Sequence, residues 1–241
     1  MMMLRSIIFV IWLYGSMAVI GLVLAPYAAF SDNAVWAALR AWNGAILWGL
    51  RWIVGVTVTI EGREHAPKGG ALIACKHQAM FDTVLPIAFL EKPVCIYKRE
   101  LAKTPIMGLY LTRNQIPVDR GGHAAALKSI VRGARDAVAK GRQVVIFPEG
   151  TRLPVDAPTE YKPGIAAMYK DLNLPVTPVA LNTGLVWKPR GILRTPGHVT
   201  IKILPPIQPG LPRDEFMREL ENRIESESQA LLPPERRRKA S

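Results

Sequence analysis

The hydrophobic pattern of the chain changes near residue 55. Before that point the apolar residues form two long stretches, Ile7 to Phe30 and Ala34 to Val54. After it, short apolar runs alternate with polar loops and with amphipathic segments. Long apolar stretches favour helices in or beside a membrane, and the later alternation favours an α/β domain. The pattern therefore predicts an N-terminal helical region at 1–55 and a separate α/β domain after it.

The first stretch carries no charged residue over the 24 positions from Ile7 to Phe30. As a helix it would be about 36 Å long, enough to cross a hydrocarbon core of about 30 Å. The alternative is a secretory signal peptide with Ala28 and Ala29 near its cleavage point. We favour an uncleaved anchor, because the uncharged run exceeds a typical signal-peptide core and a second apolar segment follows at once.

The second stretch combines tryptophans with a narrow polar stripe. Its tryptophans are Trp36, Trp42, Trp48 and Trp52, and its polar residues are Arg40, Asn43 and Arg51. On a helix these polar residues fall within an arc of about 80°. This composition suits a helix at the membrane interface, and the alternative is a core helix with one wet edge. We predict a two-helix membrane-anchoring hairpin, with its turn and N-cap at Ser31-Asp32-Asn33.

The rest of the chain predicts alternating strands and helices. Strands are expected at 56–60, 71–75, 94–97, 115–118, 143–147, 176–181 and 199–204. Helices are expected from the turn at Asp82 to about residue 90, and at 123–140, 165–172 and 216–231. This order predicts a mixed, largely parallel sheet flanked by helices. We place the domain at 56–232 and a short basic tail at 233–241.

Charge and cysteine content narrow the function classes. Lysine and arginine number 31 against 19 acidic residues, a net charge of +12, which suits nucleic acid, an anionic membrane or an acidic substrate or carrier. An ordinary solvated basic surface is the alternative. The middle of the chain has no nucleic-acid-binding motif, and no metal-ligand spacing is present. We therefore expect neither nucleic acid nor a metal ion to bind. Cys75 and Cys95 lie in apolar runs, which favours buried thiols.

Polar groups follow four of the predicted strands. His77 and Asp82 follow the run at 71–75, and Asp119-Arg120, the segment from Glu149 to Arg152, and Asn182 follow later strands. In parallel sheets ligands bind beyond the carboxyl ends of the strands, so these groups are expected to share one site.

His77 and Asp82 are the best candidates for acid–base chemistry. Histidine is the usual general base near neutral pH, and a carboxylate can orient its ring and stabilise the imidazolium. A five-residue offset separates two side chains by about 140° on a continuous helix. The pair can therefore meet only if His77 lies on a turn before that helix.

These motifs, in this order, resemble the 1-acylglycerol-3-phosphate (lysophosphatidic acid) acyltransferase family. The matching segments are His77-x4-Asp82, Val118-Asp119-Arg120, Phe147 to Arg152, Val176 to Asn182 with Gly184, and Lys98 to Leu101 with Pro105 and Gly108. The resemblance covers about Val58 to Leu204. The chain departs from the family pattern at Lys76, where asparagine is common, and at Ala79, where serine is usual.

The resemblance implies transfer of a fatty acyl group from a thioester to the 2-hydroxyl of lysophosphatidic acid, giving phosphatidic acid. His77 would take the hydroxyl proton and Asp82 would support it. The residues expected to bind the substrate, its phosphate above all, are Lys98, Lys103, Arg120, Glu149, Gly150, Thr151 and Arg152. Among these, the two arginines would grip the phosphate, Glu149 would position Arg152 or a substrate hydroxyl, and Gly150 would allow close backbone approach.

The same resemblance implies acyl-CoA or acyl-carrier protein as donor, no cofactor, and a lipid acceptor in the membrane. We expect the bacterial inner membrane, with the site at its cytoplasmic face; no pattern indicates an oligomeric state. Glycerol 3-phosphate or another lysolipid as acceptor, and an inactive membrane-binding scaffold, remain alternatives. A hydrolase is disfavoured because the chain has no Gly-x-Ser-x-Gly segment.

Overall fold

The computed structural model describes residues 1–118 and 123–238 and is built around a seven-stranded sheet. The strands are β1 (Val56–Glu61), β2 (Ala71–Cys75), β3 (Pro93–Lys98), β4 (Ile116–Val118), β5 (Gln143–Ile146), β6 (Val176–Leu181) and β7 (Gly197–Ile203). The helices are α1 (Met2–Ala28), α2 (Asp32–Gly49), α3 (Met107–Asn114), α4 (His123–Ala139), α5 (Gly164–Leu172) and α6 (Arg213–Ala230).

The sheet is mixed but largely parallel, as the sequence predicts. Its strand order is β1-β7-β6-β2-β5-β3-β4. The five strands from β6 to β4 run in one direction, β7 is antiparallel to β6, and β1 is parallel to β7. The carboxyl ends of β6, β2, β5, β3 and β4 therefore meet along one edge, where the predicted polar groups follow the strands.

The central strand β2 contributes side chains to two hydrophobic cores, one on each face of the sheet. All five of its residues are buried, which is typical of a parallel strand covered on both faces. Ile73 and Cys75 face a cluster with Phe9 and Phe81, whereas Leu72 and Ala74 face a second cluster. That second cluster includes residues of α4, α5 and α6. The period of two along the strand thus assigns alternate residues to the two faces.

The segment after Asp82 differs from its prediction. The sequence predicts a helix to about residue 90, but the structure has two short 3₁₀ segments, Met80–Thr83 and Leu85–Ala88. Pro86 lies at the start of the second segment and has no N–H to donate to the preceding turn. A continuous α-helix is therefore interrupted just after the predicted acid–base pair.

Helices α1 and α2 form an antiparallel hairpin held by two indole hydrogen bonds. Trp12 Nε1 donates to the Ala45 carbonyl at 2.7 Å, and Trp42 Nε1 donates to the Leu13 carbonyl at 3.1 Å. Of the described helices, only α1 is long and apolar enough to cross a membrane. The predicted two-helix membrane anchor thus has one helix of that kind.

Helix α1 lies against the domain along one face. Its buried residues are Ser6, Phe9, Leu13, Gly21 and Ala28. At one end Ser6 Oγ accepts the Arg194 N–H at 2.9 Å, and farther along the Gly21 carbonyl accepts the Tyr110 hydroxyl at 2.7 Å. The remaining face exposes large apolar side chains, among them Leu4, Ile8, Ile11, Val19, Leu22, Val23 and Tyr27.

Helix α2 combines features of both of its predicted roles. Trp36 and Ile46 are buried in the two main cores, and Asn43 from the predicted polar stripe is also buried. Arg40 lies at the surface and donates to the Glu91 carbonyl. Trp48 is exposed, as is Trp52 in the π-helical turn that follows. Helix α2 therefore packs into the core along its length, and two exposed tryptophans lie near and just beyond its end.

We predict that replacing Phe9 by alanine weakens the protein far more than replacing Ile8. Phe9 is fully buried against Trp187, with ring centroids 5.5 Å apart, so its truncation should lower the free energy of unfolding by about 3 kcal/mol. Ile8 is 45% exposed, so its replacement by alanine should lower the free energy of unfolding much less. Denaturant unfolding in mild detergent measures both variants; equal effects would mean that α1 does not dock on the domain.

Candidate active site

His77 and Asp82 meet at the carboxyl end of β2. His77 lies on the turn before the first 3₁₀ segment, and its Nδ1 is 3.2 Å from Asp82 Oδ2. This is the turn geometry that the five-residue spacing requires. With Nδ1 facing the carboxylate, Nε2 is the nitrogen left for chemistry, and it makes no hydrogen bond to any residue that the structure describes.

The Asp82 carboxylate is held by backbone donors of the same turn. Oδ2 accepts the N–H groups of Gln78 at 2.6 Å and Ala79 at 2.7 Å. The side chain is fully buried, where an ionised carboxylate is stable only with such donors. One carboxylate therefore closes the turn and also orients the histidine.

A second segment reaches Asp82 from the end of β6. Thr183 Oγ1 donates to Asp82 Oδ1 at 2.6 Å, and the Gly184 N–H donates to Gln78 Oε1 at 2.9 Å. The sequence reasoning did not assign a role to Thr183. The available signal was its position just after Asn182, at a strand end that was already expected to reach the site.

The His77 ring is stacked on Phe147. The ring centroids are 4.1 Å apart with an interplanar angle of 23°, and the His77 side chain is 12% exposed. The aromatic ring covers one face of the imidazole and limits its rotation. An aromatic face also favours a positive charge above it, so Phe147 can stabilise the imidazolium.

Lys76 forms the centre of a buried ionic network behind the turn. Its Nζ is 3.2 Å from Glu149 Oε1 and 2.5 Å from Glu225 Oε1 of α6, and only 3% of the residue is exposed. Glu225 also accepts the Tyr161 hydroxyl at 3.0 Å and pairs with Arg238. Two cations thus balance two carboxylates, as burial of charges requires.

Glu149 connects this network to the catalytic turn. Its Oε1 accepts the His77 N–H at 3.2 Å, while Oε2 is buried without a hydrogen-bond partner among the described residues. Burial raises the pKa of Glu149, and Lys76 opposes that rise. Its described polar contacts are with Lys76 and His77, and none of them joins it to Arg152; its predicted role toward Arg152 or a substrate hydroxyl stays a prediction.

Four other predicted substrate-binding residues, Lys98, Lys103, Thr151 and Arg152, lie at or after the ends of β3 and β5 and make none of the described hydrogen bonds or ion pairs with His77. Lys98 ends β3, and Lys103 lies in the 3₁₀ segment that follows; both are exposed. Thr151 and Arg152 are also exposed. Arg120 lies outside the described residues.

Gly150 shapes the loop after β5. Its φ is +66°, a value that favours glycine, and its N–H donates to the Phe147 carbonyl at 3.0 Å. The resulting turn places Glu149 inward and Arg152 outward. Nearby, the Leu153 N–H donates to the His77 carbonyl at 3.1 Å, which ties this loop to the histidine.

Both cysteines are unsuited to nucleophilic chemistry. Burial raises the pKa of Cys95 to about 12. The pKa of Cys75 is raised by burial first and then by the charges of Asp82 and Glu149. A thiol with a raised pKa is a poor nucleophile, so the structure favours the structural role predicted for Cys75.

Comparisons with known proteins match this arrangement. Residues 57–182 match the model of the acyltransferase family. A 1-acyl-sn-glycerol-3-phosphate acyltransferase from Pseudomonas aeruginosa is 30% identical over 95% of this chain and 92% of its own length. A protein of the same name from Cocos nucifera is 34% identical over 66% of this chain, which spans 52% of that protein.

A solved structure has the same fold. The 1-acyl-sn-glycerophosphate (LPA) acyltransferase PlsC from Thermotoga maritima superposes with a TM-score of 0.79 and 22% identity. The match covers 96% of this chain and 99% of that one, so it includes the N-terminal helices as well as the sheet.

We predict that Lys76→Met destabilises the fold in a pH-dependent manner. The substitution leaves the buried Glu149 carboxylate without its cation, at a cost of about 3 kcal/mol. The folded pKa of Glu149, already raised, should rise further, so the folded state increasingly favours its protonated form. The loss should therefore be smallest at low pH, where Glu149 is protonated, and grow as the pH rises and the unpaired carboxyl would have to ionise.

Melting temperatures across a pH series measure this effect. Lys162→Met is the matched control, because Lys162 makes an exposed ion pair with Glu160 and should contribute less than about 1 kcal/mol. A Lys76 variant that melts like this control at every pH would contradict the importance of the buried network.

Proposed function

The chain belongs to the acyltransferase family, and from that premise we propose that it transfers a fatty acyl group from an acyl thioester to the sn-2 hydroxyl of 1-acylglycerol 3-phosphate, giving phosphatidic acid. The observation that carries this proposal is the His77–Asp82 contact at the strand-end edge, which leaves Nε2 without a hydrogen-bond partner among the described residues. The curated relatives named for this reaction support the choice of acceptor.

In this mechanism His77 acts as general base. Nε2 takes the proton of the substrate hydroxyl while its oxygen attacks the thioester carbonyl carbon. The tetrahedral intermediate then expels the thiolate as the C–S bond breaks, and the imidazolium returns the proton to the sulfur. The substrate supplies the nucleophile, so no protein acyl carrier is required.

Asp82 and Phe147 support the charge that His77 gains. The carboxylate keeps Nδ1 oriented and stabilises the imidazolium, while the stacked ring of Phe147 favours the same cation. The donors to Asp82 come from two separate loops, so the carboxylate needs little reorganisation during the reaction.

The acceptor phosphate requires cationic partners at the same edge. We assign this role to Arg120 and Arg152, because a guanidinium can bind phosphate through two parallel hydrogen bonds. Lys98 and Lys103 are secondary candidates from the end of β3. Gly150 and Thr151 would approach the substrate through the loop after β5, and Glu149 would hold the turn behind it.

The donor in this proposal is acyl-CoA or acyl-carrier protein, and both are acidic partners for a basic chain. No cofactor is invoked, because the thioester is already activated for acyl transfer.

A membrane location fits both substrate and structure. Helix α1 lies against the domain with one face and exposes large apolar side chains on the other. We therefore propose that α1 lies in the membrane interface and lets the lipid acceptor enter the site from within the membrane. Because acyl-CoA and acyl-carrier protein are cytoplasmic, we propose that the active site faces the cytoplasm, in a bacterium at the inner membrane.

Purified protein given different acceptors tests the reaction. We expect turnover of lysophosphatidic acid with acyl-CoA or acyl-carrier thioesters, and much weaker turnover of glycerol 3-phosphate and of phosphate-free monoacylglycerol. His77→Ala should lower kcat about a thousandfold, and His65→Ala, which changes a histidine outside the site, should not. Equal use of monoacylglycerol would refute the phosphate-binding roles, and an active His77→Ala variant would refute the base.

We predict that Thr183→Val lowers kcat about tenfold with little change in KM. The variant loses a hydrogen bond to the charged Asp82 carboxylate but no contact with substrate. Thr183→Ser should restore activity, because it restores the hydroxyl. Thr83→Val is the control in the same region, because the exposed Thr83 hydroxyl donates to the Met80 carbonyl and not to Asp82. A rise in KM alone would instead indicate a substrate contact.

A further inference from the structure

Arg194 is a buried cation without an acidic partner. Only 6% of the residue is exposed, yet none of the described carboxylates forms an ion pair with it. Buried arginines are normally neutralised by a carboxylate or a phosphate, because an unpaired charge is costly in the interior. Among the described residues nothing supplies this anion, so a ligand could supply it.

The contacts of Arg194 leave part of its guanidinium available. Nη1 donates to the carbonyls of Gly191 at 3.1 Å and Leu193 at 3.0 Å, and the guanidinium carbon lies 4.0 Å from the centre of the Trp187 ring. Nε is buried without a hydrogen-bond partner, and Nη2 makes no hydrogen bond to a described residue. Burial lowers the pKa of Arg194 to about 10, so it stays charged at neutral pH.

Arg194 lines a cavity that also contains a second arginine. The cavity measures about 150 Å³ and is lined by Met1, Met2, Arg5, Val54, Arg194 and Pro196. Ser6 positions Arg194 here, because its hydroxyl accepts the Arg194 N–H and donates to the Arg194 carbonyl. Two arginines from distant parts of the sequence thus face one small cavity.

The surface around the cavity is apolar. Leu4, Ile8 and Ile11 of α1 are exposed beside Arg5, and the largely exposed Trp52 lies in the turn that leads to Val54. Apolar side chains and a tryptophan next to cationic groups are typical of a surface at the level of lipid headgroups. A ligand in this cavity would therefore come from the membrane side.

We propose that this cavity binds the phosphate group of an anionic lipid, at a site separate from the active site. The guanidinium groups of Arg194 and Arg5 would donate to the phosphate oxygens, and the acyl chains would lie along the exposed face of α1. None of the cavity residues belongs to the motifs around His77. One link between the cavity and that turn is Trp187, which lies against the Arg194 guanidinium and stacks on Phe81 with centroids 6.1 Å apart.

Vesicle binding by the full chain tests this proposal. Vesicles of pure phosphatidylcholine are compared with vesicles of phosphatidylcholine and phosphatidylglycerol in equal parts, at constant ionic strength. We expect the wild type to prefer the anionic vesicles. Arg194→Met should reduce that preference about tenfold and Arg5→Gln about fivefold. Arg194→Lys keeps the charge but loses the paired donors of the guanidinium, so its preference for anionic vesicles should lie between those of wild type and Arg194→Met.

Two controls separate the site from general charge effects. Arg218→Gln removes an exposed cation from α6 and should leave the preference unchanged. Melting temperatures check that each variant is folded, and if Arg194→Met is not, the exposed Arg5 variant carries the test. Equal losses for the Arg5, Arg194 and Arg218 variants would overturn the proposal.

A second experiment, in detergent without vesicles, distinguishes binding of a lipid phosphate from binding of free phosphate. Inorganic phosphate is compared with chloride at matched ionic strength in detergent, with the melting temperature as readout. Stabilisation by phosphate that Arg194→Met abolishes, together with a vesicle preference, supports the site. Such stabilisation without any vesicle preference would make free phosphate the ligand and overturn the lipid assignment.

Discussion

The active-site edge depends on how one buried carboxylate is satisfied. Asp82 has no contact with water, so its charge must be met by donors that the protein supplies. The N–H groups of Gln78 and Ala79, the hydroxyl of Thr183 and the His77 ring all point at it. Because these donors come from the ends of β2 and β6, satisfying the carboxylate also fixes two loops and the histidine relative to each other.

This dependence explains which parts of the site could be predicted from sequence. His77 and Asp82 are close in the chain, and the turn that joins them follows from their spacing and from the apolar strand before it. Thr183 and Glu225 are 101 and 149 residues away from the side chains they contact. No local pattern identifies such partners, since the contacts exist only once β2, β6 and α6 have packed together.

The fold shows the same division between local and non-local information. Strands with strong apolar periodicity, such as β2 and β6, lie where the pattern predicts, and the parallel order follows from strand–helix alternation. The predicted helix after Asp82 is wrong because Pro86, which has no N–H to donate, interrupts the backbone hydrogen bonding of this apolar segment. For α1, composition indicates an apolar helix, but its contacts with Arg194 and Tyr110 are needed to show that it lies along the domain.

The network around Lys76 also has a consequence for the order in which the protein matures during synthesis. The loop that carries His77 is translated long before α6, and Glu225 follows Lys76 by 149 residues. Until α6 has emerged and docked, Lys76 has Glu149 as its partner and lacks the contact with Glu225 at 2.5 Å. The ionic network behind the catalytic turn can therefore be completed only after α6, the last of the described α-helices, has been synthesised.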